Sequence, residues 1–332
     1  MNKIIVISFL FLSSISFSQS YAPAAGETGS TAISKDSAII VDWATNVEVQ
    51  RGYLNSSDTT VMINGSNKVD FGTPSNAVGP ATGVSTDAVS LGDGGSAIAT
   101  FSSPIKNGDG FDFAIFENSF SDDFLELAHV EVSSDGIHYI RFPSHSETQT
   151  ATQVGGFGST DPTSIYNLAG KYRGAFGTPF DLEELKDSVG INVSKITHIK
   201  LIDVVGDIGT TGSEDSHGNK INDPFPTPFA SGGFDLSAIG VINQYVTGLK
   251  EFNTDKLAVY PNPSSTEITI EIPQNSTGTV QIIDSKGIVV FSKEQTDDLN
   301  NELNIIHQFP SGMYTLIYST NKEYITEKIV IL

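Results

Sequence analysis

The chain of 332 residues contains no cysteine. This absence excludes disulfide bonds, thiolate nucleophiles and cysteine-ligated zinc, and it excludes lipid attachment at an N-terminal cysteine. Any stability outside a cell must therefore come from packing, hydrogen bonds and bound ions.

Basic residues are also scarce. Lysine and arginine number 18 against 39 aspartates and glutamates, which gives a formal net charge of -21. Such a field repels phosphate backbones and argues against nucleic acid as a partner, whereas it attracts cations. A hard divalent ion such as Ca²⁺ suits carboxylate and carbonyl oxygens.

Catalytic signatures and long apolar runs are largely missing. The sequence has no Gly-x-Ser-x-Gly elbow, P-loop, dinucleotide fingerprint or His-x-x-x-His pair. Beyond the first 20 residues no run approaches the length of a membrane span, so we expect none in the exported protein. Residues 1–20 combine Lys3 with an apolar run and a polar end, which predicts a secretory signal peptide.

The remaining composition is typical of an all-β protein with many turns, with 31 glycines, 14 prolines and 20 phenylalanines. Short alternating runs separated by Gly-rich turns fall into two series. They predict a β-sandwich over 21–246, a linker at 247–256 and a small antiparallel sandwich over 257–332.

Local signals predict two further elements in the first series. Asp135 and Gly136 lie between alternating runs and predict a β-hairpin over 127–142. Acidic residues in the first turn of 181–187 predict a short helix.

The first series is organised around residues 196–242. Two strand candidates, 196–205 and 233–242, flank a long acidic loop and a Pro-rich turn. We expect the two strands to pair in one sheet and to hold the loop at their ends.

Acidic residues near these strands predict a cation site. Glu117 and Asp203 share the side-chain parity of apolar neighbours, so each must end a strand, pair or bind a metal, because burying a bare carboxylate costs several kcal/mol. The candidate Ca²⁺ ligands are Glu117, Asp203, Asp215, Asn219, Asp223 and Asp235. The alternatives are a solvated acidic loop and acids that emerge separately at the sheet rim.

The C-terminal series carries a recognisable pattern. It consists of Val-Tyr-Pro-Asn-Pro at 259–263, a hairpin turn at 284–287, Ser-Gly-Met-Tyr at 311–314 and the terminal strand at 327–332. In order and position the pattern resembles the C-terminal sorting domain of type IX secretion cargo. The resemblance implies contact with that secretion machinery and, after removal of the domain, release or attachment to surface lipopolysaccharide. The alternative is an ordinary accessory Ig-like sandwich.

The preceding part of the chain, the passenger, shows a looser pattern. Residues 130–139, 199–203 and 233–241 follow the order of galactose-binding-like jelly rolls of the discoidin type, which they resemble. The implied fold class is all-β, a jelly-roll β-sandwich passenger followed by a small Ig-like antiparallel β-sandwich. The loop after residue 205 is longer than in discoidin domains, so no ligand residues are transferred.

Three functions remain open at this point. The first is a secreted or cell-surface binding protein, stabilised by calcium, that recognises carbohydrate or another extracellular ligand at its loop end. The second is an extracellular polysaccharide hydrolase that uses Glu117 with Asp203 or Asp235. The third is a structural or adhesion protein without a small ligand. The candidate ligand contacts of the binding protein are Asn118, Tyr172, Arg173, Phe225 and Phe229.

Overall fold

The computed structural model describes residues 20–245, 250–251, 257–272, 277–295, 302–320 and 323–332. The chain divides into two units, Met1–Tyr245 and Val246–Leu332. The predicted signal peptide lies outside the described residues except for Ser20, and so does most of the predicted linker.

The strands are numbered in chain order. Those of the first unit are β1 (Ile33–Ser34), β2 (Asp42–Trp43), β3 (Asn46–Gln50), β4 (Val89–Ser90), β5 (Ser96–Ile105), β6 (Phe113–Glu117), β7 (Ala128–Ser133), β8 (Ile140–Arg141), β9 (His145–Ser146), β10 (Ile165–Tyr166), β11 (Phe176–Phe180), β12 (Ile196–Asp203) and β13 (Asp235–Val241). Those of the second unit are β14 (Lys250–Glu251), β15 (Ala258–Tyr260), β16 (Glu267–Glu271), β17 (Gly278–Ile283), β18 (Val289–Gln295), β19 (Glu302–Ile306), β20 (Gly312–Ser319) and β21 (Glu323–Ile331). The helical turns are 3₁₀ helices at Pro74–Ala77, Pro162–Ser164 and Leu182–Leu185.

The first unit is built from two main antiparallel sheets. One has the order β1-β11-β6-β13-β2, with β4 also paired to β13, and the other has the order β3-β5-β12-β7-β8. From β2 to β7 and from β11 to β13, consecutive strands lie in opposite sheets, and the early β2 pairs with the late β13. The predicted all-β sandwich is confirmed.

The core of the first unit lies between these sheets. Phe113 on β6 stacks on Phe180 of β11 at a centroid distance of 5.3 Å, and Phe142 meets both rings at 5.9 and 5.1 Å. All three rings are buried. Aromatic pairs at these distances add roughly 0.5–1.5 kcal/mol to the burial term.

The sequence-based pairing of the two central strand candidates was wrong. β12 pairs with β5 on one side and β7 on the other, whereas β13 pairs with β6, β2 and β4 in the opposite sheet. Since β12 is hydrogen-bonded on both edges, it has no edge left for β13. The loop between them therefore joins the two sheets.

Two local predictions had different outcomes. The hairpin over 127–142 is confirmed by the pairing of β7 with β8, and Gly136 takes a positive φ of 76° in its turn. The predicted helix over 181–187 is only a 3₁₀ turn at Leu182–Leu185, with Asp181 accepting the Glu183 N–H at 2.9 Å. Leu182 and Leu185 point into the core, so packing fixes this turn.

The second unit is a separate sandwich. It contains a five-stranded sheet of order β14-β21-β20-β17-β18 and a three-stranded sheet of order β15-β16-β19. Ile268 and Ile270 on β16 are buried while their neighbours face outward, as the alternation predicts. The hairpin predicted around 284–287 forms between β17 and β18, and the terminal strand β21 pairs with β20.

In the described part of the chain, no helix has the length and apolar character that crossing a membrane requires.

Candidate functional site

Three carboxylates meet inside the first unit. Glu117, Glu126 and Asp235 each offer an oxygen, and these oxygens all lie within 4.8 Å of one another. The three side chains belong to residues that are only 1%, 6% and 4% exposed. We call this group the acidic cluster.

Topology explains why the acidic cluster forms. Glu117 is the last residue of β6 and pairs with Leu236 of the adjacent strand β13. Asp235 is the first residue of β13 and immediately precedes Leu236. Glu126 lies just before β7, in the facing sheet. The cluster therefore joins the two sheets at one end of the sandwich.

Each of two cluster residues has one satisfied and one unsatisfied oxygen. The Ser119 N–H donates to Oε2 of Glu117 at 2.7 Å, and Nδ2 of Asn118 donates to Oδ2 of Asp235 at 2.9 Å. Oε1 of Glu117 and Oδ1 of Asp235 are buried and accept no hydrogen bond from the described residues. Buried polar atoms are normally paired, so these two oxygens have free capacity to take up a proton or a cation.

Two more buried aspartates surround the cluster. Asp203 accepts the Phe234 N–H at 2.7 Å and the Gly94 N–H at 3.0 Å, so both of its oxygens are used to tie backbone segments together. Asp223 accepts the Leu127 N–H at 3.0 Å through Oδ2, while its buried Oδ1 has no partner in the described chain. Asp203 is thus structural, and Asp223 keeps one oxygen free.

Burial and mutual repulsion keep these acids from ionising easily. Burial raises the pKa of Glu117 well above its usual value, and repulsion from Asp235 adds to it. The pKa of Glu126 is raised well above its usual value by burial, then by Asp235 and Glu117. Burial raises the pKa of Asp235 to about 6, although hydrogen bonds and Arg51 act in the opposite direction.

Compensating positive charge is scarce around the cluster. In the described part of the chain, no lysine or arginine forms a salt bridge with Glu117, Glu126 or Asp235. Arg51 approaches Asp235 but donates its hydrogen bonds to backbone carbonyls, those of Phe71, Ser90 and Gly72. A bound cation is one way to neutralise such a group, and protonation is the other.

Two glycines allow the backbone to approach these acids. Gly170 has φ +85°, and a Cβ there would lie 1.8 Å from the carbonyl oxygen of Glu126. Gly233 has φ +71°, and its Cβ would lie 2.6 Å from Oδ1 of Asp203. Any side chain at either position would displace the residues that build the site.

The predicted metal ligands separate into two groups. Glu117 and Asp235 lie together in the acidic cluster, with Asp203 and Asp223 close enough to raise the pKa of Glu126. Asp215 and Asn219 lie elsewhere: Asp215 groups with His145 and His217, and Nδ2 of Asn219 donates to Oδ2 of Asp215 at 2.9 Å. Of the acidic-loop candidates, Asp223 therefore lies near the acidic cluster, whereas Asp215 and Asn219 do not belong to it.

Four phenylalanines form a line at the surface, and two of them lie in the loop between Glu117 and Glu126. Ring centroids are 4.6 Å apart for Phe120 and Phe124, 6.3 Å for Phe124 and Phe157, and 5.1 Å for Phe157 and Phe229. Phe120 and Phe157 are 71% and 73% exposed, and Phe229 is 39% exposed. We call these four residues the aromatic strip.

A pocket of about 390 Å³ shares its loops with the aromatic strip. Asp122 and Asp123, which line it, lie between Phe120 and Phe124 in the chain, and Ser159 follows Phe157. The Thr160 N–H donates to the Asp123 carbonyl at 2.7 Å and ties the two loops together. The pocket wall is formed by Ala24, Glu27, Asp122, Asp123, Ser159, Thr160, Asp161, Pro162 and Thr163.

The predicted ligand contacts are distributed unevenly around this surface. Tyr172 and Phe225 are 1% and 7% exposed, so neither ring offers a free face for stacking, because both fill space inside the unit. Arg173 forms a salt bridge with Asp122 beside the pocket. Asn118 holds Asp235 in the acidic cluster, and Phe229 ends the aromatic strip.

Sequence reasoning missed Glu126 and three members of the aromatic strip. Glu126 lies between the buried Leu125 and Leu127, and a lone acid inside an apolar run is the signal that points to it. Phe120, Phe124 and Phe157 lie in irregular loops without periodicity, so nothing in the sequence places them side by side.

Comparison with known proteins identifies the second unit. Residues 258–332 match the family model of the secretion system C-terminal sorting domain. This domain directs export by type IX secretion to the cell surface or the extracellular space, and it interacts with that machinery. No curated protein matches the chain at a significant level.

Solved structures resemble the chain only distantly. They include a β-glucuronidase of Parabacteroides merdae (13% identity, TM-score 0.21, 95% of this chain and 36% of that chain) and the BSP domain of a biofilm-associated protein (13%, 0.24, 71% and 48%). A β-1,2-glucanase of Parabacteroides distasonis is similar at 10% identity and a TM-score of 0.23, over 88% of this chain and 38% of that chain. The chain thus spans less than half the length of these structures, and such low TM-scores transfer no activity.

Proposed function

We propose that this exported protein binds neutral carbohydrate on its aromatic strip and that Ca²⁺ in the acidic cluster holds the binding loop in place. The proposal rests on one observation. Glu117 and Glu126 stand at the two ends of the loop 118–125, and their oxygens converge on one buried point with Asp235. The order of the segments 130–139, 199–203 and 233–241, which resembles galactose-binding-like jelly rolls in sequence, supports the same function.

The donor set suits calcium. Ca²⁺ binds oxygens at about 2.3–2.6 Å, so two oxygens on opposite sides of the ion lie roughly 4.8 Å apart. Three carboxylates that bind in bidentate fashion supply up to about six oxygens, and Asp223 keeps a further oxygen free nearby. Each buried carboxylate that binds the ion also gains the compensating charge that it lacks.

The aromatic strip and its pocket suit a sugar. Exposed rings offer flat apolar faces for the C–H side of a sugar ring. The carboxylates of the pocket wall can accept hydrogen bonds from the sugar hydroxyls, and its Ser and Thr hydroxyls can accept or donate them. The pocket wall carries Glu27, Asp122, Asp123 and Asp161. Their charge repels uronic and sulfated glycans, so a neutral glycan is the favoured class.

Burial argues against the hydrolase alternative. Glu117, Asp203 and Asp235 are 1%, 2% and 4% exposed, so a polysaccharide in solution does not reach their oxygens in this conformation. Both oxygens of Asp203 are also occupied by backbone N–H groups. A glycosidase needs its two carboxylates on either side of an accessible bond.

An array of neutral and acidic glycans, probed with the full chain in Ca²⁺, tests the function. We expect binding to one class of neutral glycans, and we expect it to fall at least about fivefold in Phe157→Ala and Phe120→Ala, since stacking is worth roughly 1 kcal/mol or more. Ile137→Ala is the matched control, because Ile137 is 76% exposed but belongs to the β7–β8 hairpin at the other end of β7. Absence of any bound glycan would favour the structural or adhesion alternative.

A further inference from the structure

A second group of metal-binding side chains lies apart from the acidic cluster. His145 on β9 and the loop residues Asp215 and His217 each offer one ligand atom, and these atoms lie within 4.8 Å of one another. The imidazole centroids of His145 and His217 are 4.8 Å apart at an angle of 63°. We propose that these three residues bind a transition-metal ion of the zinc class, with a coordination position open to solvent.

The donor types select the class of ion. Two imidazole nitrogens and one carboxylate suit zinc and its divalent neighbours, whereas Ca²⁺ prefers oxygens alone. Ligand atoms around a tetrahedral zinc lie roughly 3.4 Å apart, given bonds of about 2.0–2.1 Å. The His217 side chain is exposed and free to make the small adjustment that closes the group.

Surrounding contacts hold two of the three ligands in place. Asp215 accepts N–H groups of Ser146, His217 and Asn219 at 2.8 Å each. The hydroxyl of Tyr21 and Nδ1 of His145 form a hydrogen bond, which orients the imidazole in the way that outer-shell partners orient metal-binding histidines. These contacts pre-organise the site before any ion arrives.

One interaction must yield to the ion. The side-chain amide of Asn219 donates to Oδ2 of Asp215 at 2.9 Å, and this is the fourth hydrogen bond to a carboxylate with about four lone-pair positions. An incoming cation takes the place of this amide, the only side-chain donor among the four bonds. The backbone bonds remain, so the loop keeps its conformation.

The exposure of the three ligands increases from Asp215 to His217, so one side of the metal site faces solvent. Asp215 is 7% exposed, His145 is half-buried and His217 is exposed. With three protein ligands, a four-coordinate zinc retains one position for water or for a ligand atom from outside. The ion would also fasten the loop that follows β12 to β9.

Zinc titration of the untagged full chain in saturating Ca²⁺ tests the proposal. We expect one saturable zinc site by calorimetry, and Co²⁺ in its place should give visible absorption bands of a site with nitrogen and oxygen ligands. His217→Gln and His145→Gln should each weaken zinc binding at least about tenfold. His217→Gln is the more specific test, since the His217 ring makes no hydrogen bond to the described residues, whereas His145 also contacts Tyr21.

Two controls separate this site from other causes. His138→Gln removes an exposed histidine that contacts Asp135 in the β7–β8 hairpin, and it should bind zinc like the wild type. Glu126→Gln should leave zinc binding unchanged, so a failure of the calcium proposal does not affect this one. Equal zinc affinity in the wild type and the His145→Gln/His217→Gln double variant, with an unchanged unfolding midpoint in EDTA, would overturn it, as would no zinc binding by the wild type.

Discussion

Glu117 and Glu126 bracket the loop of residues 118–125, and one oxygen of each lies within 4.8 Å of the other and of an Asp235 oxygen. The loop carries Phe120 and Phe124 of the aromatic strip and the pocket residues Asp122 and Asp123. Anything that binds at the buried carboxylates therefore fixes both ends of the surface loop. An ion at the proposed Ca²⁺ site would therefore stabilise the loop that carries the proposed sugar contacts without moving any strand.

Calcium removal should loosen this loop and lower the stability of the protein. At about 100 times its Kd, Ca²⁺ adds roughly 2.7 kcal/mol, which raises the midpoint by roughly 5–10 °C for a unit of this size. We expect EDTA to reverse this increase and to accelerate chymotryptic cleavage after Phe120 and Phe124. The measurements are thermal unfolding and timed proteolysis with and without EDTA.

Glu126→Gln should change the stability relative to the wild type in opposite directions in EDTA and in Ca²⁺. The variant replaces an acid whose ionisation burial and its neighbours oppose with a neutral amide, so in EDTA it should be at least as stable as the wild type, yet it should not respond to Ca²⁺. Asp123→Asn is the control from the same loop, and it should retain the full response because Asp123 lies outside the acidic cluster. A midpoint of the wild type that is the same in Ca²⁺ and EDTA would count against a stabilising ion.

Gly170→Ala should damage the acidic cluster through the backbone. Its Cβ would lie 1.8 Å from the Glu126 carbonyl oxygen, so Glu126 must shift, and we expect a loss of at least about 2 kcal/mol in urea unfolding together with weaker Ca²⁺ binding. Gly110→Ala is the matched control. Gly110 has a similar φ of +76° with nothing within 4 Å, so it should lose only about 1 kcal/mol and keep its Ca²⁺ affinity.

Local patterns were sufficient to predict much of the fold. Alternation over β16 and the Asp-Gly turn after β7 predicted strands and a hairpin that the structure contains, because both signals depend on residues close in sequence. The pairing of β12 with β13 was wrong because partner choice depends on which edges other strands occupy. Strands β5 and β7, distant in sequence, occupy both edges of β12.

The acidic cluster was only partly visible for a related reason. Glu117 attracts notice because it continues the parity of Phe113 and Ile115, and all three are buried. Glu126 precedes its strand and has no such parity, yet the crossing from β6 to β7 brings it back to Glu117. The aromatic strip joins loops that are far apart in sequence, at Phe120, Phe157 and Phe229, and only the tertiary fold relates them.

Deletion of residues 258–332 should prevent release from the producing cell. These residues match the sorting domain, so a chain that lacks them should stop in the periplasm of a bacterium with type IX secretion. Fractionation with an antibody to the passenger measures this. As a control, residues 246–332 fused behind an exported fluorescent protein should carry that protein to the surface or medium, and export of the truncated passenger would contradict the prediction.

His129 should make the first unit sensitive to acid. The residue is 3% exposed on β7, and burial, followed by Arg141, lowers the pKa of its imidazole to about 4. The unfolded chain takes up this proton near the ordinary value of about 6.5, so the unfolded state binds more protons between these two values. The contribution of neutral His129 is present above about pH 6.5 and is lost as the pH falls towards 4, by roughly 3 kcal/mol in total.

The difference in unfolding free energy between the wild type and His129→Leu, measured in EDTA from pH 7 to pH 4, should shift in favour of the variant by about this amount. His138→Leu, which removes an exposed histidine, should show no such gain at low pH, and parallel curves for the wild type and His129→Leu would show that the buried imidazole does not titrate in this way.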